Sequence, residues 1–580
     1  MFKLLKQLKL KEWLLVLVLV VFVVAQVFFD IQLAVYTKNI MEEMQNLNST
    51  TASILRVGGT MLLFALGSAA CTLTVGLIAA YISSMLAYRL RDQFYRTVQS
   101  FSAAEIDKFS TAGLITRCTN DIQRVQNAVL MFLRIAVSAP ITAVWAIIKI
   151  QGTSVPLTIV AGAWILFMVA ALGGIFLIVF PRFGEMQKLT DKMNSVMREN
   201  LTGLRVVRAY NAESYQEDKF EKVNDRLMKV NLFASRWSGI MGPLMMLVFN
   251  GITLTIYWYG AELINTSSGT FGLADLMSFV NLAMQVLMSF MMLTMLFAML
   301  PRAEVSAKRI NEVLATPLTI LDKEQTMPIM REKEGQIVFE NVSFKYPGAD
   351  GYVLENINFS VEKGQTLAII GATGSGKSTL INLIPRLFDA TEGNVLVSGV
   401  NVKDMSQTEL HSEIGYVPQK GVLFSGTIAE NIAFGGNNDK DSIQRSAQIA
   451  CADGFIEEKE DGYSSAISQG GKNVSGGQKQ RLSIARAVNV NPKILIFDDS
   501  FSALDYKTDR QVRENLKKST AETTKVIVAQ RIGTIMDADR ILVLSKGKII
   551  GDGKHSELLN TCDEYREIAL SQLTKEELGL

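Results

Sequence analysis

The sequence predicts an all-α membrane domain followed by a separate α/β domain. The first observation is composition: the chain has 580 residues, of which 49% are hydrophobic and 20% are charged. The second is that long apolar runs recur up to about residue 300 and then stop. The third is that short β-rich runs alternate with helical stretches from residue 336 onward, which is typical of a largely parallel sheet. A chain of this length also exceeds what one core supports.

Six apolar segments are candidate membrane spans. Each has about the 20 residues that a helix rising 1.5 Å per residue needs to cross a ~30 Å hydrocarbon layer. They cover residues 13–35, 61–86, 129–150, 157–180, 244–263 and 276–300. We therefore expect a transmembrane domain over 1–300, a connector over 301–335 and a second domain over 336–580.

Basic residues are concentrated on one side of these spans. Lysines precede the first span, and arginines and lysines crowd the stretches 88–126 and 182–236, whereas the other loops have few. The positive-inside rule then predicts a multi-pass protein of the cell membrane with both termini cytosolic. The two basic stretches are too long for turns, so we expect the membrane helices to extend into the cytosol. Residues 2–11 suit a short helix on the inner membrane surface.

Charge and cysteine content exclude several other classes of protein. Lysine and arginine number 58 against 56 acidic residues, and the net charge of +2 gives no reason to expect a nucleic-acid partner. The four cysteines lie far apart without metal-ligand spacing, which predicts reduced thiols. The apolar content excludes a wholly soluble or disordered chain.

A phosphate-binding loop opens the second domain. Residues 371–378 read Gly-Ala-Thr-Gly-Ser-Gly-Lys-Ser, which fits G-x-x-x-x-G-K-[ST], and they lie between a strand-like and a helix-like segment. Glycines allow backbone N–H groups to point at phosphate oxygens, the lysine adds charge, and the Ser378 hydroxyl can bind Mg²⁺. The predicted nucleotide ligands in this loop are Gly371, Thr373, Gly374, Ser375, Gly376, Lys377, Ser378 and Thr379.

Two adjacent carboxylates follow an apolar strand at residues 494–497. In phosphoryl-transfer sites the first acid, here Asp498, holds Mg²⁺ and the next position hosts the base for the attacking water. Two acids at this place are by themselves more often a solvated strand end. The phosphate loop upstream favours the catalytic interpretation.

Five motifs in a fixed order resemble those of ATP-binding cassette domains. Tyr346 lies in Phe-Lys-Tyr-Pro, Gln419 in Val-Pro-Gln and Asp505 in Ser-Ala-Leu-Asp, and the loop 371–379 and the segment 474–478, Val-Ser-Gly-Gly-Gln, lie among them. Together with six preceding spans, the whole chain resembles a half-transporter of the ABC exporter class. The expected cofactors are therefore ATP and Mg²⁺.

The resemblance implies a role for each motif. Tyr346 would stack on adenine; Lys377, Ser378 and Thr379 would hold phosphates and Mg²⁺; Gln419 would sense Mg²⁺ and the γ-phosphate. The Ser-Gly-Gly-Gln segment, which is the signature of the family, would close over nucleotide bound to a second cassette, so a partner half-transporter is implied. Asp505 would belong to the D-loop. Short helices near 103–119 and 203–219 would transmit cassette closure. The signature residues are Ser475, Gly476, Gly477 and Gln478.

Two positions depart from the pattern of efficient hydrolysis. Asp499 stands where such members have Glu, and Gln530 stands where they have His. A base must lie within about 2.6–3.2 Å of the proton it takes, and a misplacement of ~1 Å can lower the rate a hundredfold. We predict a degenerate site and a heterodimer, as in bacterial multidrug exporters, with Glu and His in the partner. Alternatively, Asp499 acts as a weak base and Gln530 bonds the γ-phosphate.

The membrane half offers candidate cargo residues. Methionines form a stripe along the last span, and Met288 and Met295 suit a permissive cavity, although gap filling between helices is the commoner role of methionine. Asp30 and Arg134 are costly in hydrocarbon and are either functional or near an interface. We expect an amphiphilic, drug-like or lipid substrate.

The leading hypothesis is a subunit of an ATP-driven exporter that works by alternating access and in which this chain contributes mainly the degenerate site. A non-pumping ATP-binding sensor or regulatory subunit is one alternative, and a homodimeric lipid exporter is another.

Overall fold

The computed structural model describes residues 8–46, 49–266 and 271–578. The chain divides into two compact units, one made of Met1–Thr97 and Ala112–Ala315 and the other of Val98–Thr111 and Thr316–Leu580. Most of the predicted surface helix at 2–11 lies outside the described residues, and the first described helix begins at Leu10.

The first unit contains six helices long and apolar enough to cross a membrane, counted over the described residues. This confirms the predicted membrane domain. In chain order, the helices before the connector are α1 Leu10–Gln45, α2 Thr51–Gln99, α3 Ala103–Lys108, α4 Thr111–Thr116, α5 Ile122–Thr153, α6 Val155–Thr202, α7 Leu204–Ala209, α8 Glu213–Gly239, α9 Met241–Thr266 and α10 Leu273–Leu314. A π-helical turn, Arg117–Asp121, joins α4 to α5.

Several of these helices continue well past their apolar segments, as predicted. The helices α2 and α6 have 49 and 48 residues, more than twice the ~20 that a bilayer requires. One face of the first helix packs against other helices, because residues at three- and four-residue spacing along it are buried. These residues are Leu19, Val23, Val27, Ile31 and Ala34.

The last membrane helix extends further than the composition suggests. It continues through Pro301 to Leu314, so the first 14 residues of the predicted connector are helical. Apolar residues at helical spacing explain the extension, because they keep one face buried after the lipid-facing residues end. They are Ala303, Ala307, Ile310 and Val313.

The second unit contains the predicted α/β domain. The strands are β1 Ile337–Phe344, β2 Leu354–Val361, β3 Thr366–Ile370, β4 Glu392–Val397, β5 Val400–Asn401, β6 Ile414–Val417, β7 Gly426–Thr427, β8 Ala466–Ile467, β9 Ile494–Asp498, β10 Thr524–Val528, β11 Arg540–Ser545 and β12 Lys548–Gly553. A six-stranded sheet has the order β12-β11-β3-β10-β9-β6, and the pairs from β11 to β6 are parallel. A four-stranded antiparallel sheet has the order β2-β1-β4-β5, and β7 pairs with β8.

Helices cover both faces of the parallel sheet. Alternate residues of β9 enter two separate cores, with Ile494 and Ile496 in one and Leu495 and Phe497 in the other. Burial on both faces explains why these strands read as continuous apolar runs. The helices are α11 Lys377–Leu383, α12 Gln407–Ser412, α13 Ile428–Ile432, α14 Lys440–Ile449, α15 Asp453–Glu457, α16 Gly476–Asn489, α17 Tyr506–Ser519, α18 Ile532–Ile535, α19 His555–Thr561 and α20 Asp563–Leu570.

Candidate functional site

The parallel sheet gathers the predicted nucleotide residues at one edge. The strand β3 leads into the loop at 371, β9 ends at Asp498, β10 leads to Gln530 and β6 leads to Gln419. Because these strands are adjacent and parallel, their carboxyl ends meet at the same edge, which is where α/β sheets place ligand sites.

The phosphate loop requires glycine for two different reasons. At Gly371 an added Cβ would lie 2.0 Å from the Leu544 carbonyl oxygen. At Gly374 the backbone φ is +83° and an added Cβ would meet nothing within 4 Å. The first glycine therefore allows close packing against the neighbouring strand, and the second adopts a left-handed conformation beside open space. Thr373 and Gly374 are exposed at this part of the loop.

Two polar groups of the loop fit a phosphate. The Lys377 ammonium donates hydrogen bonds of 2.8 Å to the carbonyl oxygens of Gly371 and Ala372, which holds the charge over the loop. Burial lowers the pKa of Lys377. The Ser375 hydroxyl is buried and has no hydrogen-bond partner among the described residues. A bound phosphate oxygen would satisfy both groups.

A hydroxyl and two carboxylates form an oxygen-rich cluster at the end of β9. The Ser378 hydroxyl donates to the Asp498 carboxylate at 2.9 Å, so the two predicted Mg²⁺ ligands are in contact. Asp498 and Asp499 are each 7% exposed, and burial raises the pKa of both carboxyls. Hard oxygen donors next to a phosphate loop fit Mg²⁺.

The three residues predicted to act on the γ-phosphate meet at one oxygen atom. Oδ2 of Asp499 accepts a 2.8 Å hydrogen bond from the Gln530 amide and a 3.3 Å hydrogen bond from the Gln419 amide. Asp499 also has a φ of +48°, a conformation that aspartate tolerates better than most residues. The carboxylate oxygen is therefore already paired with two amide donors.

Tyr346 is fixed beside the loop. Its hydroxyl lies 2.9 Å from the Thr379 hydroxyl, and its ring packs edge-on against Phe344 and Phe388 at centroid distances of 5.0 and 5.3 Å. The ring is half-buried. An aromatic ring held rigidly next to a phosphate loop can stack on a nucleotide base.

The signature segment forms an exposed helix N-terminus. Ser475 caps α16, since its hydroxyl accepts from the Gln478 backbone N–H and the Gln478 side chain accepts from the Ser475 N–H. Ser475 and Gly476 are exposed, and an added Cβ at Gly476 would meet nothing within 4 Å; Gly477 is half-buried. Asp505, also exposed, caps α17, and this hydrogen bond to Thr508 lowers its pKa.

Two glutamines that were not predicted from the sequence support the site through hydrogen bonds. Gln480, 1% exposed, donates to the Pro418 carbonyl and accepts from the Gly421 N–H, so it ties the loop of Gln419 to α16. Gln572 accepts from the Ile532 N–H and donates to the Gln530 carbonyl, each at 2.8 Å. A polar residue on the apolar face of α16 was the available signal for Gln480; nothing in the sequence marks Gln572.

The first inner loop contributes to the second unit. The helix α3 begins after Ser102, whose hydroxyl lies 3.0 Å from that of Thr319. Glu105 is buried and accepts from the Thr319 N–H at 2.9 Å and from the Ser102 N–H at 2.7 Å. The predicted transmitting segment at 103–119 is therefore bonded to the predicted connector at Thr319. The helix α7, from the second inner loop, belongs to the first unit.

The candidate cargo residues lie in different surroundings. Met295 is 65% exposed and lines an apolar cavity of about 570 Å³, whereas Met288, 43% exposed, does not line it. Asp30 is half-buried; its carboxylate accepts from the Ser68 hydroxyl and its carbonyl accepts from Gln285. Asp30 therefore joins three helices and does not line this cavity.

Comparisons with known proteins cover nearly the whole chain. Residues 16–297 match the ABC transporter transmembrane region, and residues 354–502 match the ABC transporter family. An uncharacterized ABC transporter ATP-binding protein of Mycobacterium tuberculosis is 38% identical over 91% of this chain and 91% of its own length. One from Bacillus subtilis is 38% identical over 90% and 89%.

Two further similarities concern a lipid flippase and a solved structure. The ATP-dependent lipid A-core flippase of Syntrophus aciditrophicus is 31% identical over 88% of this chain and 84% of its own length. The solved structure of a bacterial Atm1-family ABC exporter with ATP bound superposes with a TM-score of 0.78 over 96% of this chain and 97% of the other, at 22% identity. The latter similarity establishes the fold.

Proposed function

This chain belongs to the ABC transporter family as an exporter half-transporter, and from that premise we propose that it is the subunit with the slow ATP site in a heterodimeric exporter. Half-transporters of this family act as dimers and couple ATP hydrolysis to transport. The proposal concerns which partner this chain takes and which of the two shared sites turns over.

The observation that carries the proposal is the pairing of Asp499. Its Oδ2 accepts hydrogen bonds from both Gln419 and Gln530. Hydrogen bonds from neutral amides stabilise the charged carboxylate and so make it a weaker acceptor for the proton of the attacking water. Aspartate is also one methylene shorter than glutamate, and a displacement of ~1 Å can cost a hundredfold in rate. Gln530 can donate a hydrogen bond to a γ-phosphate but cannot accept a proton as histidine does.

Binding of ATP does not depend on these two positions. Lys377, the loop glycines and Tyr346 would hold the nucleotide, and Ser378, Gln419 and Asp498 would hold Mg²⁺, which when bound neutralises charge on the phosphate oxygens. The site would therefore retain ATP and cleave it slowly.

The signature segment would serve the partner. Ser475 and Gly476 are exposed at the N-terminus of a 14-residue helix, where backbone N–H groups favour phosphate. In the dimer these residues and Asp505 would complete the partner's nucleotide site, in which we place Glu and His. Hydrolysis would then occur mainly there.

We place the protein in the cell membrane with both termini in the cytosol, where ATP is available to the nucleotide domain. ATP binding would close the two cassettes and expose the cavity to the outside, and hydrolysis would reset it. The cargo would be an amphiphilic drug-like molecule or a lipid, since an apolar cavity of about 570 Å³ lies between membrane helices.

A homodimeric lipid exporter is the second candidate. The observation that favours it is the 31% identity to a protein named as a lipid A-core flippase. In such a homodimer Asp499 would serve as the base in both sites. A regulatory subunit that binds ATP without pumping is separated from both by vesicle transport: accumulation of an amphiphilic dye with ATP excludes it.

The test compares ATP turnover in three forms of the chain, purified without a partner. We expect the wild type to bind ATP and hydrolyse it slowly, the D499N variant to change that rate less than about threefold, and the D499E/Q530H variant to raise it at least tenfold. The physical reason is that the double variant restores a longer base and a proton-accepting switch residue.

The opposite pattern would favour the homodimer. If the wild type alone hydrolyses ATP at tens per second and D499N lowers that rate a hundredfold, Asp499 is a competent base and the heterodimer proposal is wrong. ATP affinity, measured on the same samples, is the control, because none of these substitutions removes a group of the phosphate loop.

A further inference from the structure

An apolar cavity of about 570 Å³ lies between α6, α9 and α10 within the membrane unit. Its volume falls within the ~300–1,000 Å³ typical of small-molecule sites. Aromatic and methionine side chains dominate its lining, among them Phe176, Phe180, Met245, Met291 and Met295. Methionine adapts its shape to flexible apolar ligands, so this lining suits an alkyl chain.

One ionisable side chain lines the cavity, and it is a cation. Arg302 lies just after the apolar run at 276–300, where a membrane helix leaves the hydrocarbon and lipid headgroups begin. Its guanidinium lies 5.6 Å from the centre of the Phe183 ring. Among the described residues, no carboxylate lies within ion-pair distance of Arg302.

The charge of Arg302 selects the ligand. A guanidinium beside an apolar cavity attracts an anionic group and forms two parallel hydrogen bonds with a carboxylate. A cationic amphiphile, which the sequence alone allows, would be repelled. Arg302 is exposed, so its guanidinium is accessible to the head group of a ligand at the edge of the cavity.

We propose that this cavity binds a single-chain anionic amphiphile, a long-chain carboxylate, with its alkyl chain among the phenylalanine and methionine side chains and its head on Arg302. The proposal rests on the proposed function in that the ligand would be the exported cargo. Binding itself does not depend on ATP turnover, so the two can be tested separately.

The experiment measures binding of radiolabelled palmitate and of hexadecanol, which has the same chain length but no charge, to the full chain in zwitterionic lipid nanodiscs. We expect saturable binding of palmitate by the wild type. R302Q should weaken palmitate at least tenfold, because a charge-assisted hydrogen bond is lost, and leave hexadecanol within threefold. R302K keeps the charge but cannot form two parallel hydrogen bonds, so it should weaken palmitate binding less than R302Q does. R182Q is the matched control, because Arg182 pairs with Glu185 and does not line the cavity.

Equal palmitate binding by the wild type and R302Q would overturn the proposal, as would hexadecanol binding as tightly as palmitate. If R302Q does not fold, the comparison of palmitate with hexadecanol in the wild type decides the question. ATP-driven accumulation is measured in parallel in vesicles that also contain the partner. Arg302-dependent binding without accumulation would uphold this inference and reject the proposed exporter, whereas accumulation without Arg302-dependent binding would do the reverse.

Discussion

Two glycines of the phosphate loop are required for different reasons, one for folding and the other for nucleotide binding. Gly371 approaches the Leu544 carbonyl so closely that a methyl group would clash, whereas Gly374 borders open space with a left-handed backbone. The two glycines occupy the same motif but meet different physical requirements. A matched pair of alanine substitutions can therefore distinguish the two requirements.

We predict that G371A destabilises the second unit, because its new Cβ would lie 2.0 Å from a backbone oxygen of an adjacent strand. G374A should retain the fold and lose at least tenfold in ATP affinity, because its methyl group enters the space beside the loop. Thermal unfolding of the full chain and binding of a fluorescent ATP analogue are the two measurements. A G374A protein that binds ATP like the wild type would contradict the assignment of that space to phosphate.

A half-buried histidine predicts a pH dependence of stability. His555 lies 2.6 Å from the Tyr565 hydroxyl, and burial lowers its pKa. In the unfolded chain the pKa of a histidine is about 6.5, so the unfolded chain binds a proton at a pH where the folded chain does not. The stability of the folded chain therefore falls as the pH drops below about 6.5. We expect the unfolding temperature of the wild type to decrease more between pH 7.5 and 5.5 than that of H555N. The difference between the two proteins isolates this residue from the buried carboxyls, and equal decreases would count against it.

At the scale of elements, side-chain hydrogen bonds between helices and neighbouring loops support the site. Gln480 joins α16 to the loop of Gln419 through two hydrogen bonds of 3.0 and 3.1 Å. The signature segment at the start of α16 and the Gln419 loop are therefore physically linked in one chain. Gln572 acts in the same way, because its side chain bonds the carbonyl of Gln530 and the N–H of Ile532.

We predict that Q480A lowers the free energy of unfolding by about 1 kcal/mol, because it leaves a half-buried carbonyl and a half-buried N–H without their present partner. The loop should also become mobile, which hydrogen exchange at the Gly421 amide would report. The matched control is K479A, because Lys479 is less buried and lies on the adjacent position of the same helix. Unchanged exchange at Gly421 in Q480A would show that other contacts hold the loop.

At the scale of the whole molecule, one short helix of the first inner loop belongs to the nucleotide-binding unit. Glu105 bonds the backbone of Thr319 within the connector, although more than 200 residues separate them in the chain. Through this contact, α3 and the connector form one structural element. These two segments are also where the chain passes from one unit to the other, after Thr97, before Ala112 and after Ala315.

We predict that E105A lowers ATP-driven transport at least fivefold while ATP affinity stays within twofold, because the nucleotide contacts are unchanged and the bonded connection is lost. Vesicle transport and nucleotide binding, measured on the same preparation with the partner present, test this. D107A is the control, since Asp107 is exposed on the same helix. Transport that remains coupled in E105A would show that the contact is only structural.

Local sequence features predicted much of the molecule. The apolar runs gave the six membrane helices because lipid requires length and hydrophobicity within a single segment. The loop at 371–379 was identifiable because its glycines, lysine and serine are contiguous. The extent of α10 beyond Pro301 was not predicted, because the burial of Ala307 and Ile310 depends on neighbouring helices.

The order of motifs determined that this protein binds nucleotide in a cassette and that Asp499 and Gln530 replace the usual residues. The tertiary structure alone decided that Gln419 and Gln530 bond the same oxygen of Asp499, and that Arg302 borders an apolar cavity. The physical reason is distance along the chain: Gln419, Asp499 and Gln530 follow three different strands, and adjacency across a parallel sheet cannot be read from any one segment. The identity of each residue can be read from the sequence, whereas the hydrogen bonds that it makes depend on the tertiary structure.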